Sequence, residues 1–365
     1  LTNQEFQEDQ LPLILRGWLN QAVERRASDV HLVAGYPAVL RCVGKLIEVD
    51  ASTLSEIDIT DSLGTLVGDQ RLSNLAITKD DDLAVSVRLR NNRYRLRINL
   101  FFSGRSIGAC IRLIPDAVPG LAWTRFPEDL ARRITRFQHG LVLVTGVTGS
   151  GKSTTLAMII EQMNQAGNVR IVTIEDPIEY LIPKRPGSVV TQREIGTDVT
   201  CFSDGLKYGL RQDPDVILVG EIRDSETARM ALSAAETGHL VLSTMHTRDA
   251  KGAISRYCDM FPQTTQNEIR SQLANHLRAV VCQRLLDSSV PGENMELALE
   301  IMFNNAAIAA AIRSGKLESI DNYILTGRSE GMITMEESIK RLVTSGSVLP
   351  ETVEPFMQER SQFPR

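Results

Sequence analysis

The amino-acid sequence predicts an α/β protein, a small α+β unit followed by a larger unit built on a parallel sheet. Three observations point there. At 365 residues the chain is longer than one hydrophobic core usually serves. Its first third carries alternating strand patterns around a short hairpin turn. From about residue 130 the rhythm changes to short apolar run, turn and amphipathic helix, which is how a sheet covered on both faces by helices reads.

The elements follow in order. Residues 11–26 place apolar side chains at helical spacing and end in charge. Ala27-Ser28-Asp29 breaks that pattern before a short strand at Val30–Val33, and Ala38–Val49 reads as a hairpin turning at Gly44-Lys45. Leu54–Val67 is helical. Strands at Leu83–Arg90 and Arg93–Phe102 join at Asn91-Asn92, and a third runs over Ile107–Ile114. Pro115-Asp116-Ala117-Val118-Pro119-Gly120 continues neither helix nor strand and marks a linker. Beyond it, Leu141–Thr145, Val169–Ile174, Val216–Gly220 and Leu240–Thr244 are short β-branched runs, with helical patterns such as Thr154–Gln165 and Thr227–Glu236 between them. The last part is helical again, stopped by Gly315, Gly327, Gly331 and Gly346. The expected organisation is an N-terminal domain at 1–115, a linker at 116–130, a second domain at 131–300 and a C-terminal helical region at 301–365.

Composition narrows the function classes. The chain is 42% hydrophobic and 23% charged, as folded soluble proteins are. A net charge of −5 and a pI near 5.7 argue against a protein that coats nucleic acid. No apolar run approaches the ~20 residues of a membrane-spanning helix. Cys42, Cys110, Cys201, Cys258 and Cys282 are scattered without C-x-x-C spacing, which suits small buried hydrophobes in a reducing, cytoplasmic compartment.

The chemistry starts at Gly146. Leu141–Thr145 runs into Gly146-Val147-Thr148-Gly149-Ser150-Gly151-Lys152-Ser153-Thr154-Thr155, a G-x-x-x-x-G-K-[ST] loop between strand and helix. Glycines let the backbone curl so that its N–H groups face phosphate oxygens, and the helix adds its positive end. Lys152 is expected on the β- and γ-phosphates of ATP, and the Ser153 hydroxyl on Mg²⁺. A chance match in a chain of this length has a probability of roughly 1%.

Hydrolysis needs a group that handles water. Asp213–Gly220 is an apolar strand that delivers Glu221 at its C-terminal end, where open α/β sheets hold ligands. Glu221 is the candidate general base or water orienter. Gly220-Glu221 stands where an aspartate is usual, so Mg²⁺ leans on Ser153 and water. Another strand ends in Glu175-Asp176-Pro177-Ile178-Glu179; Glu175 and Glu179 could tune Mg²⁺ or water, or cap the next element. His239 and His246 flank the fourth strand, and histidine there can sense a γ-phosphate by a hydrogen bond. The N-terminal unit gathers Arg88, Arg90, Arg93, Arg95, Arg97, Arg105 and Arg112, with arginine alternating against Tyr94, Leu96 and Ile98. This strand face is a solvated surface, a nucleic-acid phosphate reader, or a source of arginines for the γ-phosphate in a neighbouring subunit.

Taken together, these motifs resemble the secretion and pilus-motor ATPase superfamily, and most closely its twitching-motility (pilus retraction) branch. Ala27–Leu32 is similar to the N-terminal motif of that family, Arg95–Pro115 to its arginine-bearing strands, and Gly146–Thr155 to its Walker A loop. Thr173–Glu179 resembles its acidic box, Asp213–Asp224 its atypical Walker B, and Thr237–Thr247 its histidine box. The resemblance implies a PAS-like N-terminal domain, a RecA-like ATPase domain with a C-terminal helical extension, and a homohexameric ring. It implies trans-acting roles for Arg97 and Arg112, and docking on an inner-membrane pilus platform protein from the cytoplasmic face. It also allows other pilus motor ATPases as partners. The related assembly and secretion ATPases carry an extra N-terminal domain and a four-cysteine zinc site; neither is seen here, which favours the retraction branch. Ala307–Ser314 departs from that branch, reading A-I-A-A-A-I-R-S where its members read close to A-I-R-N-L-I-R-E. The competing readings are a type II or type IV secretion or accessory pilus motor and, from another class, a nucleic-acid translocase. The acidic pI and the lack of a base-stacking pattern weigh against the translocase.

Overall fold

The computed structural model describes residues 5–42, 45–104, 106–115, 117–290 and 295–354. The expected turn residue Gly44 and the cluster member Arg105 lie outside them. The chain divides into two compact units. The first runs to Ala117 and includes Glu179–Leu181; the second comprises Val118–Ile178 and the chain from Ile182 onward.

The first unit is β1 (Glu5–Gln7), α1 (Leu13–Glu24), β2 (Asp29–Val33), β3 (Val39–Cys42), β4 (Lys45–Glu48), α2 (Glu56–Val67), α3 (Asp69–Thr78), β5 (Asp80–Leu89), β6 (Asn92–Ser103) and β7 (Ser106–Pro115). The strands form one sheet in the order β1-β5-β6-β7-β2-β3-β4. The β5–β6 hairpin turns on Arg90 and Asn91, both at positive φ, a backbone twist that matches the flanking strands. Helix α2 starts on a reciprocal cap: Ser55 Oγ accepts from Asp58 N–H, and Asp58 Oδ2 accepts from Ser55 N–H. Leu15, Leu19, Ile59, Leu63, Leu96, Ile98 and Leu100 are fully buried between helices and sheet. Helix α3 has no counterpart in the sequence reading, because Leu75 is its only buried residue and its apolar stripe is faint.

The second unit is α4 (Leu121–Thr124), α5 (Glu128–Thr135), β8 (Gly140–Thr145), α6 (Lys152–Ala166), β9 (Val169–Glu175), β10 (Ser188–Glu194), α7 (Phe202–Gly209), β11 (Val216–Val219), α8 (Ser225–Glu236), β12 (Leu240–Met245), α9 (Ala250–Asp259), α10 (Gln263–His276), β13 (Leu277–Leu286), β14 (Glu296–Phe303), α11 (Ala306–Ser314), α12 (Ile320–Thr326) and α13 (Met335–Thr344). The sheet order is β10-β9-β11-β12-β8-β13-β14. All neighbours are parallel except β13 and β14, so the expected parallel sheet carries one antiparallel edge strand. Strands β8, β11 and β12 are buried along their whole length, as apolar runs between helices should be.

Two expected boundaries are corrected. The segment 116–130 is not all linker, because Phe126, Leu130, Ala131 and Ile134 of the α5 region pack into the second unit's core. A border at 300/301 cuts β14. The helices beyond it bury Ile308, Ile312, Ile324 and Ile339 in that same core rather than forming a separate body.

Candidate active site

Strand β8 has β12 and β13 as neighbours, and its last residue opens onto the loop 146–151. Gly146, Gly149 and Gly151 all take positive φ. Gly146 is obligatory for a second reason: a Cβ there would lie 2.4 Å from Gln283 O and 2.5 Å from Ser150 Oγ. Val147, Thr148 and Gly149 form the exposed tip, while Ser150 is buried beneath it. Gly151 caps α6 in the left-handed region, so Lys152 is the first helical residue. Lys152 is buried, and its Nζ donates to Gly146 O (2.9 Å) and Val147 O (3.1 Å). Ser153 and Thr154 follow half-buried on the first turn, and Thr155 is buried.

These residues fit a polyphosphate. A buried ammonium and the N-terminus of a 15-residue helix converge on one glycine-rich turn, where both favour negative charge. Among the described residues the buried Ser150 Oγ has no hydrogen-bond partner, a donor suited to an anion. The Ser153 hydroxyl suits Mg²⁺, which binds through one or two protein oxygens and completes its shell with phosphates and water.

The register of the sheet decides which other groups share this edge. Met245 is on the rung of Thr145, and Val219 is on the rung of Ser243. Glu221 and His246, each just past its strand, therefore emerge at the same edge as the loop. Thr244 locks the turn between them: its Oγ1 donates to Gly220 O at 2.7 Å, and its backbone carbonyl accepts from Ile222 N–H at 3.1 Å. Glu221 is largely buried and faces two cations or potential cations, with Arg223 Nη2 at 2.7 Å from Oε2 and His246 Nε2 at 3.4 Å from Oε1. Hydrogen bonding to Glu221, aided by the charges of Glu221 and Asp176, raises the Arg223 guanidinium above its ordinary value against the opposing effect of burial. Glu221, Arg223, His246 and Arg256 line one cavity with Ile222, Met245 and Met260. Sequence reasoning did not single out Arg223 or Arg256. The signal for Arg223 was its place two residues beyond Glu221 in the same turn.

Glu175 also ends at this edge, since Ile174 pairs with Val219. Its Oε1 accepts from Thr173 Oγ1 (2.6 Å) and Gln192 Nε2 (3.1 Å), which fixes it on the strand end. Pro177 follows a cis peptide bond from Asp176. Glu179 belongs to the first unit's body.

His239 is not a member of this group. It precedes β12, and its carbonyl accepts from Gly140 N–H, at the start of β8. Leu240 pairs with Gly140, so the length of β8, roughly 20 Å at strand rise, separates His239 from the loop. Its Nδ1 contacts Ala234 O and Thr237 Oγ1, a local tie at the end of α8. The expectation that His239 binds nucleotide with the loop of its own chain is withdrawn.

In the first unit, Arg97 and Arg112 occupy one rung of β6 and β7. Each has an acidic partner: Arg97 to Asp82 at 3.1 Å, and Arg112 to the buried Asp29 at 2.9 Å. Burial alone would lower the Arg112 pKa, but the charge and hydrogen bond of Asp29 outweigh it and raise it. Arg88 pairs with Glu5 and Arg90 with Glu24. The arginine strands thus carry their own counter-charges.

Comparison with known proteins agrees with this geometry. The family model described as type II/IV secretion system protein matches residues 5–345. The chain is 41% identical to the uncharacterized protein YggR of Escherichia coli K12, covering 89% of this chain and 97% of that one. It is 37% identical to the type IV pilus retraction ATPase PilT of Pseudomonas aeruginosa, over 94% of this chain and 96% of PilT. The crystal structure of the pilus retraction motor PilT with bound ADP superposes with a TM-score of 0.79 at 36% identity, covering 92% of this chain and 95% of that one. With a phosphate loop, a carboxylate at the same sheet edge and this near full-length likeness, the chain belongs to the type II/IV secretion system protein family, whose ATPases place a RecA-like domain after an N-terminal domain.

Proposed function

We propose that this chain hydrolyses Mg·ATP as a subunit of a homohexameric motor. Its work is type IV pilus retraction, delivered from the cytoplasmic face through an inner-membrane platform protein. The observation that carries the ATPase chemistry is Glu221, held by Arg223 and His246 at the sheet edge where the Gly146–Ser153 loop opens. Lys152 and the loop amides bind the phosphates, and Ser153 offers its hydroxyl to the metal. When bound, Mg²⁺ neutralises charge on the phosphate oxygens. Glu221 orients the attacking water and accepts its proton. Arg223 and His246 hold the carboxylate from either oxygen, and His246 reports the state of the phosphate end to the turn before α9. Arg97 and Arg112 serve the site of the adjacent subunit.

The retraction output rests on likeness to PilT over nearly the whole chain. A secretion or accessory pilus motor is the second reading, favoured by α11, where Ala309 and Ala310 replace the long side chains of the retraction branch. Deleting the gene tests the choice. Retraction predicts cells that keep or overproduce pili yet do not twitch, with movement restored by the wild-type gene and not by Lys152→Ala. Cells without pili would make this an extension motor, and normal twitching would make it a secretion or accessory ATPase.

A further inference from the structure

We propose that Gln283 is a positioning residue of the phosphate loop, holding both its ends from the neighbouring strand. This rests on the ATPase reading and adds a residue that lies outside the loop motif. Strand β13 runs parallel to β8 with Cys282 on the rung of Thr145, so Gln283 comes level with the first residue of the loop. The Gln283 backbone carbonyl fills the space beside Gly146, 2.4 Å from where a Cβ would sit. Its side chain reaches the other end, where Nε2 donates to the Ser150 carbonyl at 2.6 Å. A Cβ on Gly151 would come within 3.3 Å of the same Nε2. One residue, 3% exposed, therefore meets the loop at 146, 150 and 151, and two of the motif's glycines admit it.

The consequence lies in the peptide between Ser150 and Gly151. A trans peptide is planar, so its carbonyl and its N–H point in opposite directions. Holding Ser150 O against Gln283 turns the Gly151 N–H away from β13, into the concave side of the loop where anions bind. Because a carbonyl only accepts, the amide nitrogen must face it, and the buried Gln283 Oε1 is left without a partner among the described residues. A contact that served packing alone would not call for a buried amide whose Oε1 goes unsatisfied, a cost set here against the donor that Nε2 gives to Ser150 O. The amide is retained for what it does to the loop.

The test measures the affinity of N-methylanthraniloyl-ADP and the steady-state kinetics of ATP hydrolysis, with thermal melts alongside. Gln283→Met keeps the shape and removes the donor. It should weaken nucleotide binding about tenfold, or about 1.4 kcal/mol, near the upper range for one neutral hydrogen bond. KM should rise in step while kcat stays within about twofold, the mark of lost binding rather than lost chemistry. Gln283→Asn retains the amide on a stem too short to reach and should show the same loss, which keeps the test alive if the Met variant folds poorly. Gln283→Glu should bind weakly at neutral pH and approach wild-type affinity as the pH falls, because only the protonated carboxyl can donate to Ser150 O. A residue that merely stabilises the fold would shift the melt without producing that pH profile. Met and Asn variants that bind as tightly as wild type would overturn the inference alone; wild-type protein that fails to bind ADP would overturn the ATPase reading and this inference with it.

Discussion

In the proposed mechanism Lys152 and Glu221 divide the work at the residue scale, one holding phosphate and the other handling water. Lys152 Nζ is buried among carbonyls of its own loop, Gly146 O and Val147 O, and it is the loop motif's cation. Lys152→Ala should weaken ATP binding by about a hundredfold or more, the cost of losing charge-assisted hydrogen bonds, as read by nucleotide titration. Glu221→Gln preserves shape and keeps one acceptor, which can still take the Arg223 bond, but it cannot take a proton from water. It should leave ATP affinity near wild type and slow hydrolysis by roughly 10²–10⁴. Near-normal turnover in Glu221→Gln would remove the residue from the mechanism. Lys152 was legible because its chemistry dictates a local spacing, and Glu221 because it ends an apolar strand. Gln283 was not, since it contacts a residue 133 positions earlier and only the pairing of β13 with β8 brings them together. His239 misled for the complementary reason: it flanks the same strand as His246, but a strand's two ends face opposite edges of a sheet.

At the scale of elements, one buried carboxylate of β14 joins the sheet to the starts of α9 and α13. Glu300 of β14 is 2% exposed; Oε1 accepts from Ala250 N–H at 2.8 Å, and Oε2 accepts from Met335 N–H at 3.3 Å. Those amides open α9 and α13, so one side chain satisfies orphan donors of two helices and adds charge where both dipoles favour it. Helix α9 also follows the turn that carries His246, and its Lys251 bridges to Glu318 at 2.9 Å and to Asp321 on α12 at 3.5 Å. Glu300→Ala should lower the stability of the second unit by ~2–4 kcal/mol, because two buried amides lose their acceptor. Glu300→Gln, which keeps one acceptor, should cost less. Chemical denaturation followed by the signal of the second unit checks the order; equal stability for Ala and wild type would contradict it. Little of this was readable beforehand. Edge strand β10 is polar and half-exposed, β13 interrupts its apolar run with Gln283 and Arg284, and β14 pairs antiparallel, so none matches the short buried runs that announced β8, β9, β11 and β12. Helix α11 was legible because its stop is local: Asn305 caps it through Ile308 N–H, and Gly315 ends it at positive φ. Ala310 and Ser314 lie on its exposed face, whereas Ala311, where the retraction pattern has leucine, is buried in the core, so the departure alters both surface and packing.

At the scale of the whole molecule the proposal requires a ring, because Arg97 and Arg112 must serve a site in another subunit. Their present partners set what each exchange costs. Arg97 and Asp82 form a partly exposed pair, of the kind whose breaking costs about 0–1 kcal/mol. Arg112 pairs with Asp29, whose side chain is only 5% exposed, and releasing it leaves that carboxylate with the Ser28 hydroxyl at 2.8 Å. Arg97 is therefore the arginine to test first, since Arg112→Ala strips a buried carboxylate of its counter-charge and should lower stability as well as turnover. Arg97→Ala subunits should fold and bind ATP like wild type, yet hydrolyse it poorly as assembled rings. Glu221→Gln rings should be inactive for the other half of the reaction. Co-assembling the two variants creates interfaces where an intact Glu221 meets an intact Arg97 across the subunit boundary. Such rings should recover part of the wild-type rate, rising with the fraction of mixed interfaces. If the arginine worked within its own chain, no interface in the mixture would hold a complete site, and verified mixed rings would stay as inactive as their parents.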